Sequence, residues 1–564
     1  MQQSVPQHSA LKHPGLYFRT VRRLRLSQWY YLVRRRLLPP PGLQMVPAEP
    51  RRAEFVYTPW LPVPQPEGLN HEFRFINETV AFNPESVDWM AEDQKKLWRY
   101  NLHYFDFLHW ECFDDALKAK LIDSWIDGCP FKTEIAWDPY TLSLRITNWM
   151  KYFSRPGAGE LPQRWLDSLF NQARWLTQDM EYQILANHLV KNAKALVFAG
   201  VFFEGPQAQE FLKLGSKVML EQLREQFMAD GGHFERSHMY HLIVTEDYLD
   251  LANLAAGNML PYSEGELEEV ERLTRAAVDY HTDLCAGDGE IQLFNDSTFG
   301  ITADSAQFLD YAKRVLNYVS PDRTAEPFRV YKPETGYFGY RNGGDSFLID
   351  CGAVGPDYQP GHAHCDTLSF DLCIDGQRVI VDSGNFTYEH LPIRYQQRQT
   401  AGHNTVRVDG EEQSEVWHVW RVGRRAYPLA ARLSEWQDGS LVFTGAHDGY
   451  RRLPGKVVHE REVVLKQQGR WAVTDRLQGS GRHRLESFLH LHPDIAVKQT
   501  GDRVWELSNG EKAVARLEVT DDSDVSITDS VWSPEFGLKF NNKVVVMCKT
   551  AELPAELGFV LTKV

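Results

Sequence analysis

The segment "GHAHCDTLSFDLCIDG", residues 361–376, opens with His362 and His364, reaches Asp366, and then settles into apolar–polar alternation. Residues i and i+2 of a strand share a face, so the two imidazoles are expected to point the same way, and Asp366 with them. Further on, "VDSG" closes a strand-like run with Asp382, and "TAGHNTV" starts another with His403. Two histidines and an aspartate near neighbouring strand ends suit a tetrahedral zinc ion completed by water or a fourth ligand. They also suit proton transfer, or a hydrogen-bonded polar cluster at a sheet edge.

Earlier segments hold a second concentration of reactive side chains. "ILANHLVKN" sets Asn187 and His188 in an apolar helix. Adjacent helical residues point about 100° apart, so both cannot hide on one narrow buried stripe, and a cleft-facing position is expected. "DGGHFERSHMYH", residues 230–241, packs His233, Glu235, Arg236, His238, Tyr240 and His241 behind a Gly-Gly turn. Arg236 and Tyr240 are four apart and would share a helical face. "WDPYTLSLRITNWM" adds Arg145, Asn148 and Trp149, and "WRYNLHYFDFLHW" adds Asn101, His103 and Tyr104. A cation, an amide and an aromatic ring suit a carboxylated sugar, with core packing as the alternative in each case.

The elements that must position these groups change character along the chain. Residues 1–91 read as an arm: a basic helix, "RTVRRLRLSQWYYLVRRRLLPPP", then irregular sequence rich in proline and aromatics. That helix either lies on a membrane or packs on the protein's own surface, stopped by Pro39 to Pro41. From 92 to 320 apolar residues recur three and four apart in successive helix-length stretches, predicting an all-α array of toroid, solenoid or bundle type. Residues 321–336, with prolines and no helical pattern, read as a linker. From 337 to 564 the period becomes two, with DG, NG and GG turns, predicting an antiparallel β-sandwich. The fold class is therefore multidomain, α then β.

Composition narrows the function. A formal net charge of −15 excludes a general nucleic-acid binder but permits an anionic substrate in a locally basic cleft. Sixteen tryptophans and twenty-three tyrosines supply either large cores or stacking surfaces for sugar rings. Seven cysteines without a CxxC pair are expected as free thiols. No apolar run reaches the roughly 20 residues that span a bilayer. The first residues lack a secretory pattern, so the cytoplasm is expected, with the periplasm as the alternative.

Taken in order, "DPYTLSLRITNW", "ANHL", "DGGHFERSHMYH", "GHAHCDTLSF", "VDSGNFTY" and "AGHNTV" resemble the heparinase II/III family of polysaccharide lyases. The resemblance implies an (α/α) toroid joined to an antiparallel β-sandwich. It implies β-elimination on uronic-acid polysaccharides such as glycosaminoglycans or alginate. Asn187 and His188 match the pair beside the substrate carboxylate, Tyr240 the catalytic tyrosine and His362 the catalytic histidine. His364, Asp382 and His403 match the ligands of a structural zinc ion, one per chain, and Cys365 beside them departs from the small residues usual there. Arg145, Asn148, Arg236, Glu235, Asn101 and His103 are the expected substrate-binding residues. In that scheme Arg236 lowers the pKa of Tyr240, and Tyr240 and His362 reach opposite sides of one sugar. The family's best-known members are secreted, and the arginine-rich N-terminal segment is similar to that of relatives in bacterial polysaccharide assembly. The competing classes are a toroid-fold glycoside hydrolase, which needs paired carboxylates that these motifs lack, and a non-catalytic glycan-binding protein of polysaccharide assembly.

Overall fold

The computed structural model describes residues 13–564 apart from 41, 54, 58–60, 62–65, 67, 68, 70, 158, 322 and 324–326. Two short helices come first, α1 (Pro14–Val21) and α2 (Leu26–Leu37). A small hairpin follows, Glu72–Phe75 paired with Glu78–Ala81. The helical domain contains α3 (Lys96–Tyr104), α4 (Asp115–Gly128), α5 (Pro139–Phe153), α6 (Gln163–Asp179), α7 (Ala186–Phe202), α8 (Pro206–Gln226), α9 (His238–Gly257), α10 (Glu264–Leu284) and α11 (Ser305–Leu316).

These helices alternate between two rings. α3 packs on α5, α5 on α7, α7 on α9 and α9 on α11, while α4, α6, α8 and α10 touch one another in a second layer. The inner helices are the apolar ones: every residue of α7 except His188 is buried. A helix apolar all round can only be stable inside a second shell of protein. Asp114, Ser263 and Asp304 cap α4, α10 and α11 with side-chain oxygens, each satisfying a backbone N–H with no intrahelical partner.

Among the described residues the strands of the β domain pair antiparallel, with one isolated parallel bridge between Gly384 and Ser533. A five-stranded sheet runs Phe328–Lys332, Tyr337–Asn342, Asp345–Asp350, Phe370–Ile374 and Gln377–Ile380 in sequence order. It shares one core with an eight-stranded sheet and a four-stranded one, through Phe338, Phe347, Phe370, Phe443, Trp471, Val545 and Phe559. Strands Val458–Lys466 and Arg470–Gln478 alternate buried residues with half-exposed or exposed ones, as one-sided sheets require. Asp345–Asp350, in contrast, is buried on both faces.

Two local readings change. The interval read as a linker contains the strand Phe328–Lys332, because Pro333 to Gly336 form a hairpin turn. Gly336 has φ 94° and a Cβ there would lie 2.2 Å from Gly352 Cα. The β half also contains a helix, α12 (Pro392–Arg398), which supplies a residue to the site. All seven cysteines are free, and among the described residues no helix is long and apolar enough to cross a membrane.

Candidate active site

Where the domains meet, the ring of Tyr240 from α9 stacks on that of His362, with centroids 3.7 Å apart. Ser237 sets this up at the start of α9: its hydroxyl accepts from the Tyr240 N–H and lies 2.8 Å from the Asp296 carbonyl, to which it donates. The Tyr240 hydroxyl lies 3.1 Å from that of Tyr388. Burial, then the neighbouring Tyr388, raises the Tyr240 pKa well above the usual phenol value, so the phenol keeps its proton. Because the two rings touch, no sugar fits between them. The expected arrangement, with the two groups on opposite sides of one sugar, is therefore not the one seen here.

Arg236 does not activate this phenol. It precedes the helix with φ 56°, and its Nε donates to the Thr335 carbonyl at 2.8 Å. The expected shared face with Tyr240, and the expected lowering of its pKa, are both corrected.

Asp296 organises the histidines. Its carboxylate accepts from His362 Nδ1 at 3.1 Å, from His364 Nε2 at 2.8 Å and from Asn385 at 3.0 Å. Arg394 of α12 pairs with both of its oxygens. Burial opposes the charge on Asp296, but Arg394 together with the hydrogen bonds from His362 and His364 outweighs it and holds the carboxyl well below its ordinary range. A carboxylate that takes the Nδ1 proton of His362 leaves Nε2 as the basic nitrogen. That atom lies 3.7 Å from Glu235 Oε1. Trp420 meets the His362 ring edge-on and packs on Tyr388.

Asn187 and His188 enter from the start of α7. Leu185 and Ala186 have φ 70° and 52°, left-handed conformations that cost non-glycine residues on the order of 1–3 kcal/mol each. This turn aims the Asn187 amide at Glu235, 3.0 Å away, and His188 Nδ1 at Glu181, 3.0 Å away. Burial opposes a charge on His188, but Glu181 outweighs it and raises the imidazole's pKa. Burial also raises the pKa of Glu235, against the pull of His362 and Asn187.

Three expected substrate contacts, Arg145, His103 and Asn148, are buried in the helical core. Arg145 is fully buried; it donates to Gln172 and to the carbonyls of His103 and Ala136, and lies over Trp125. His103 is buried and accepts from the Trp125 indole N–H at 3.1 Å. Asn148 is buried and donates to the Tyr104 carbonyl and to Asp106. Asn101 donates back to Leu97 within α3. Arg145, His103 and Asn148 hold the inner ring of helices together rather than facing a ligand, and those three expected contacts are corrected.

The metal set is assembled. Ligand atoms of His364, Asp382 and His403 lie within 4.8 Å of one another, and all three residues are buried. His364 Nδ1 and His403 Nε2 have no hydrogen-bond partner, an arrangement that costs free energy unless a ligand is supplied. Two orphaned imidazole nitrogens and a carboxylate fit zinc. Asp366 instead accepts from the Asn295 N–H, and Cys365 donates to the Ser414 carbonyl, which leaves its thiol engaged away from the set. A second group, His238, His281 and Cys285, is close enough to bind metal. It is already satisfied internally: the Gln292 N–H occupies His238 Nδ1, so His238 Nε2 donates to His281.

Asp296, Arg394, Tyr388, Trp420 and Glu181 were missed from sequence. Asp296 lies in the plain loop "LFNDSTFG", and only the "VDSGNFTY" stretch pointed towards Tyr388.

Comparison with known proteins agrees with this architecture. Residues 64–323 match the model of the heparinase II/III N-terminus, and residues 327–559 that of the heparinase II/III-like C-terminal region. The chain belongs to the heparinase II/III family. It is 22% identical over 420 residues to a heparin-sulfate lyase of Bacteroides stercoris, covering 71% of this chain and 58% of that protein. It is 25% identical over 365 residues to a heparin-sulfate lyase of Pedobacter heparinus, covering 60% and 51%. The chain thus spans little more than half the length of these relatives. Among solved structures, heparinase III superposes with a TM-score of 0.64 at 15% identity, covering 100% of this chain and 87% of that one. The heparan sulfate lyase HepC from Pedobacter heparinus gives 0.57 at 18%, covering 87% and 81%. The toroid-plus-sandwich fold is shared.

Proposed function

We propose that the protein is a polysaccharide lyase that cleaves a uronic-acid-containing polymer by β-elimination. The observation that carries this reading is the stacked Tyr240–His362 pair, with Asp296 fixing the imidazole so that Nε2 is basic. Elimination breaks the C5–H and C4–O bonds of the uronate and forms a C4–C5 double bond. The adjacent carboxylate makes the C5 proton barely acidic, so the charge that develops there must be met by fixed donors. Asn187 and a His188 imidazolium sustained by Glu181 would do this. His362 Nε2 takes the C5 proton, and the neutral Tyr240 phenol gives its own to the departing O4. Both groups act from one side of the sugar, which suits syn elimination.

Zinc at His364, Asp382 and His403 would supply a fixed positive charge and coordination that hold the strand ends behind His362. Asp296 links the two functions, since one oxygen serves His362 and the other His364. Metal analysis is expected to find one zinc per chain, lost in His403→Ala.

A hydrolase reading is weaker on the same geometry. The site's carboxylates are already engaged, Glu235 with Asn187 and Asp296 with Arg394, and among the described residues no free pair is seen across the cleft as hydrolysis requires. The test is a panel of glycosaminoglycans, alginate and bacterial uronic-acid polymers, followed by ultraviolet absorbance. An unsaturated uronate product supports the proposal; reducing ends without absorbance, or binding without cleavage, overturns it.

A further inference from the structure

The arginine-rich helices at the start of the chain lie outside both family matches, which begin at residue 64, and outside the site described above. They are firmly anchored. On the inner face of α2, Gln28 donates to the Gln183 and Tyr358 carbonyls, Tyr31 stacks on Tyr182 at 4.7 Å, and Arg35 pairs with Asp179 at 2.6 Å. In α1, Arg19 pairs with Glu415 at 2.7 Å, and Thr20 accepts from the Trp417 indole. The helices therefore strap the toroid to the β domain.

The outer face of α2 has the opposite character. At about 100° per residue, Trp29, Val33, Leu26, Leu37 and Tyr30 fall in one arc about 100° wide, with Arg36 on one flank and Arg34 on the other. Leu26 is 87% and Leu37 70% exposed. Soluble surfaces rarely leave an ordered stripe of this kind uncovered. The arc is a convex ridge, so its partner need not offer a complementary groove.

Charge identifies that partner. Residues 13–38 hold seven arginines and no acidic residue, in a chain of net charge −15. Arg19, Arg23, Arg25 and Arg35 are used internally, on Glu415, Asp357, Glu225 and Asp179. Arg22, Arg34 and Arg36 are exposed and, among the described residues, have no carboxylate partner. An apolar arc bordered by free guanidinium groups matches the boundary of an anionic bilayer, where the arc enters the acyl region and the arginines reach phosphates. Trp29 and Tyr30 suit the headgroup level.

We propose that α2, with Arg22 at the end of α1, is a docking helix for a bilayer surface bearing anionic headgroups. The chain would lie on that surface without crossing it. The inner face of α2 rests on Tyr182 and Tyr358, next to Glu181 and to the segment that leads into His362. Docking therefore holds the edge of the cleft beside the bilayer, where a membrane-borne polymer would be presented.

The experiment floats the full chain with vesicles of phosphatidylcholine alone or mixed with phosphatidylglycerol. The parent protein is expected to float only with the anionic vesicles and to be released by high salt. Leu26→Glu/Val33→Glu is expected to abolish flotation, and Arg34→Gln/Arg36→Gln to weaken partitioning about fivefold per arginine, both with unchanged thermal melting. Failure of the parent to float, or flotation that survives both variants, overturns the proposal. So does sedimentation showing a parental dimer that Leu26→Glu converts to monomer, since a second copy would then cover the ridge.

Discussion

Tyr240→Phe separates chemistry from architecture, because the hydroxyl does little for the fold. Its hydrogen bond is the 3.1 Å contact with Tyr388, and losing such a bond costs about 0.5–1.5 kcal/mol. The stack on His362, with centroids at 3.7 Å, is kept by phenylalanine. Melting should therefore shift by only a few degrees. The rate is another matter: a positioned proton donor contributes about 10²–10⁴-fold, or about 3–5 kcal/mol of barrier at 1.36 kcal/mol per tenfold. The assay is the initial rate of unsaturated-uronate absorbance on whichever polymer the parent cleaves, alongside thermal melting. Tyr388→Phe is the control, since it deletes the same hydrogen bond from the other side. The expected result is near-equal melting for the two variants and a much greater rate loss for Tyr240→Phe. If Tyr240→Phe keeps its rate within about threefold, or Tyr388→Phe loses more, the phenol of residue 240 is not the acid and the proposed proton path is wrong.

Other outcomes follow from buried charge. Arg394→Met strips Asp296 of its counter-ion in a fully buried setting and should destabilise the chain by about 3–5 kcal/mol; denaturant unfolding that shows less than about 1 kcal/mol would mean Asp296 is neutralised some other way. Arg145→Lys should lower stability and leave KM unchanged, because the fork that reaches Gln172, His103 and Ala136 is lost in the inner ring of helices; a raised KM would return Arg145 to the ligand. Burial, reinforced by Arg145, lowers the His103 pKa to about 3, and burial lowers that of His241 to about 4. The unfolded chain then binds protons that the folded chain refuses, so stability falls as pH drops below about 6.5, by about 1.4 kcal/mol per unit for each histidine until its folded value is reached. Melting temperature measured from pH 7 to 5 should decline, and should decline less in His241→Gln; a flat profile would show that these imidazoles are charged inside the fold.

Periodicity alone was enough to separate the α half from the β half, since the spacing of apolar residues reports directly which face of a helix or strand is buried. Residue chemistry was legible too: His364, Asp382 and His403 do converge, and Asn187, Tyr240 and His362 lie within one run of contacts through Glu235. Failures came where a side chain's direction is set by tertiary packing. Arg145 and His103 carry the same types as ligand-binding residues, but nothing local says that an inner helix turns them into the core. Arg236 lies four residues from Tyr240, yet a left-handed φ of 56° removes it from the helix. Asp296, Arg394 and Tyr388 could not be joined to His362 in advance, because a loop between helices, a short helix within the β half and a strand-end turn meet only when the two domains close. Contacts between residues tens of positions apart depend on how whole elements pack, and no nearest-neighbour pattern encodes that. The outward ridge of α2 shows both levels at once: its amphipathic pattern is written in the residues, but which side faces the protein was decided by Tyr182, Tyr358 and Asp179 on the surface it meets.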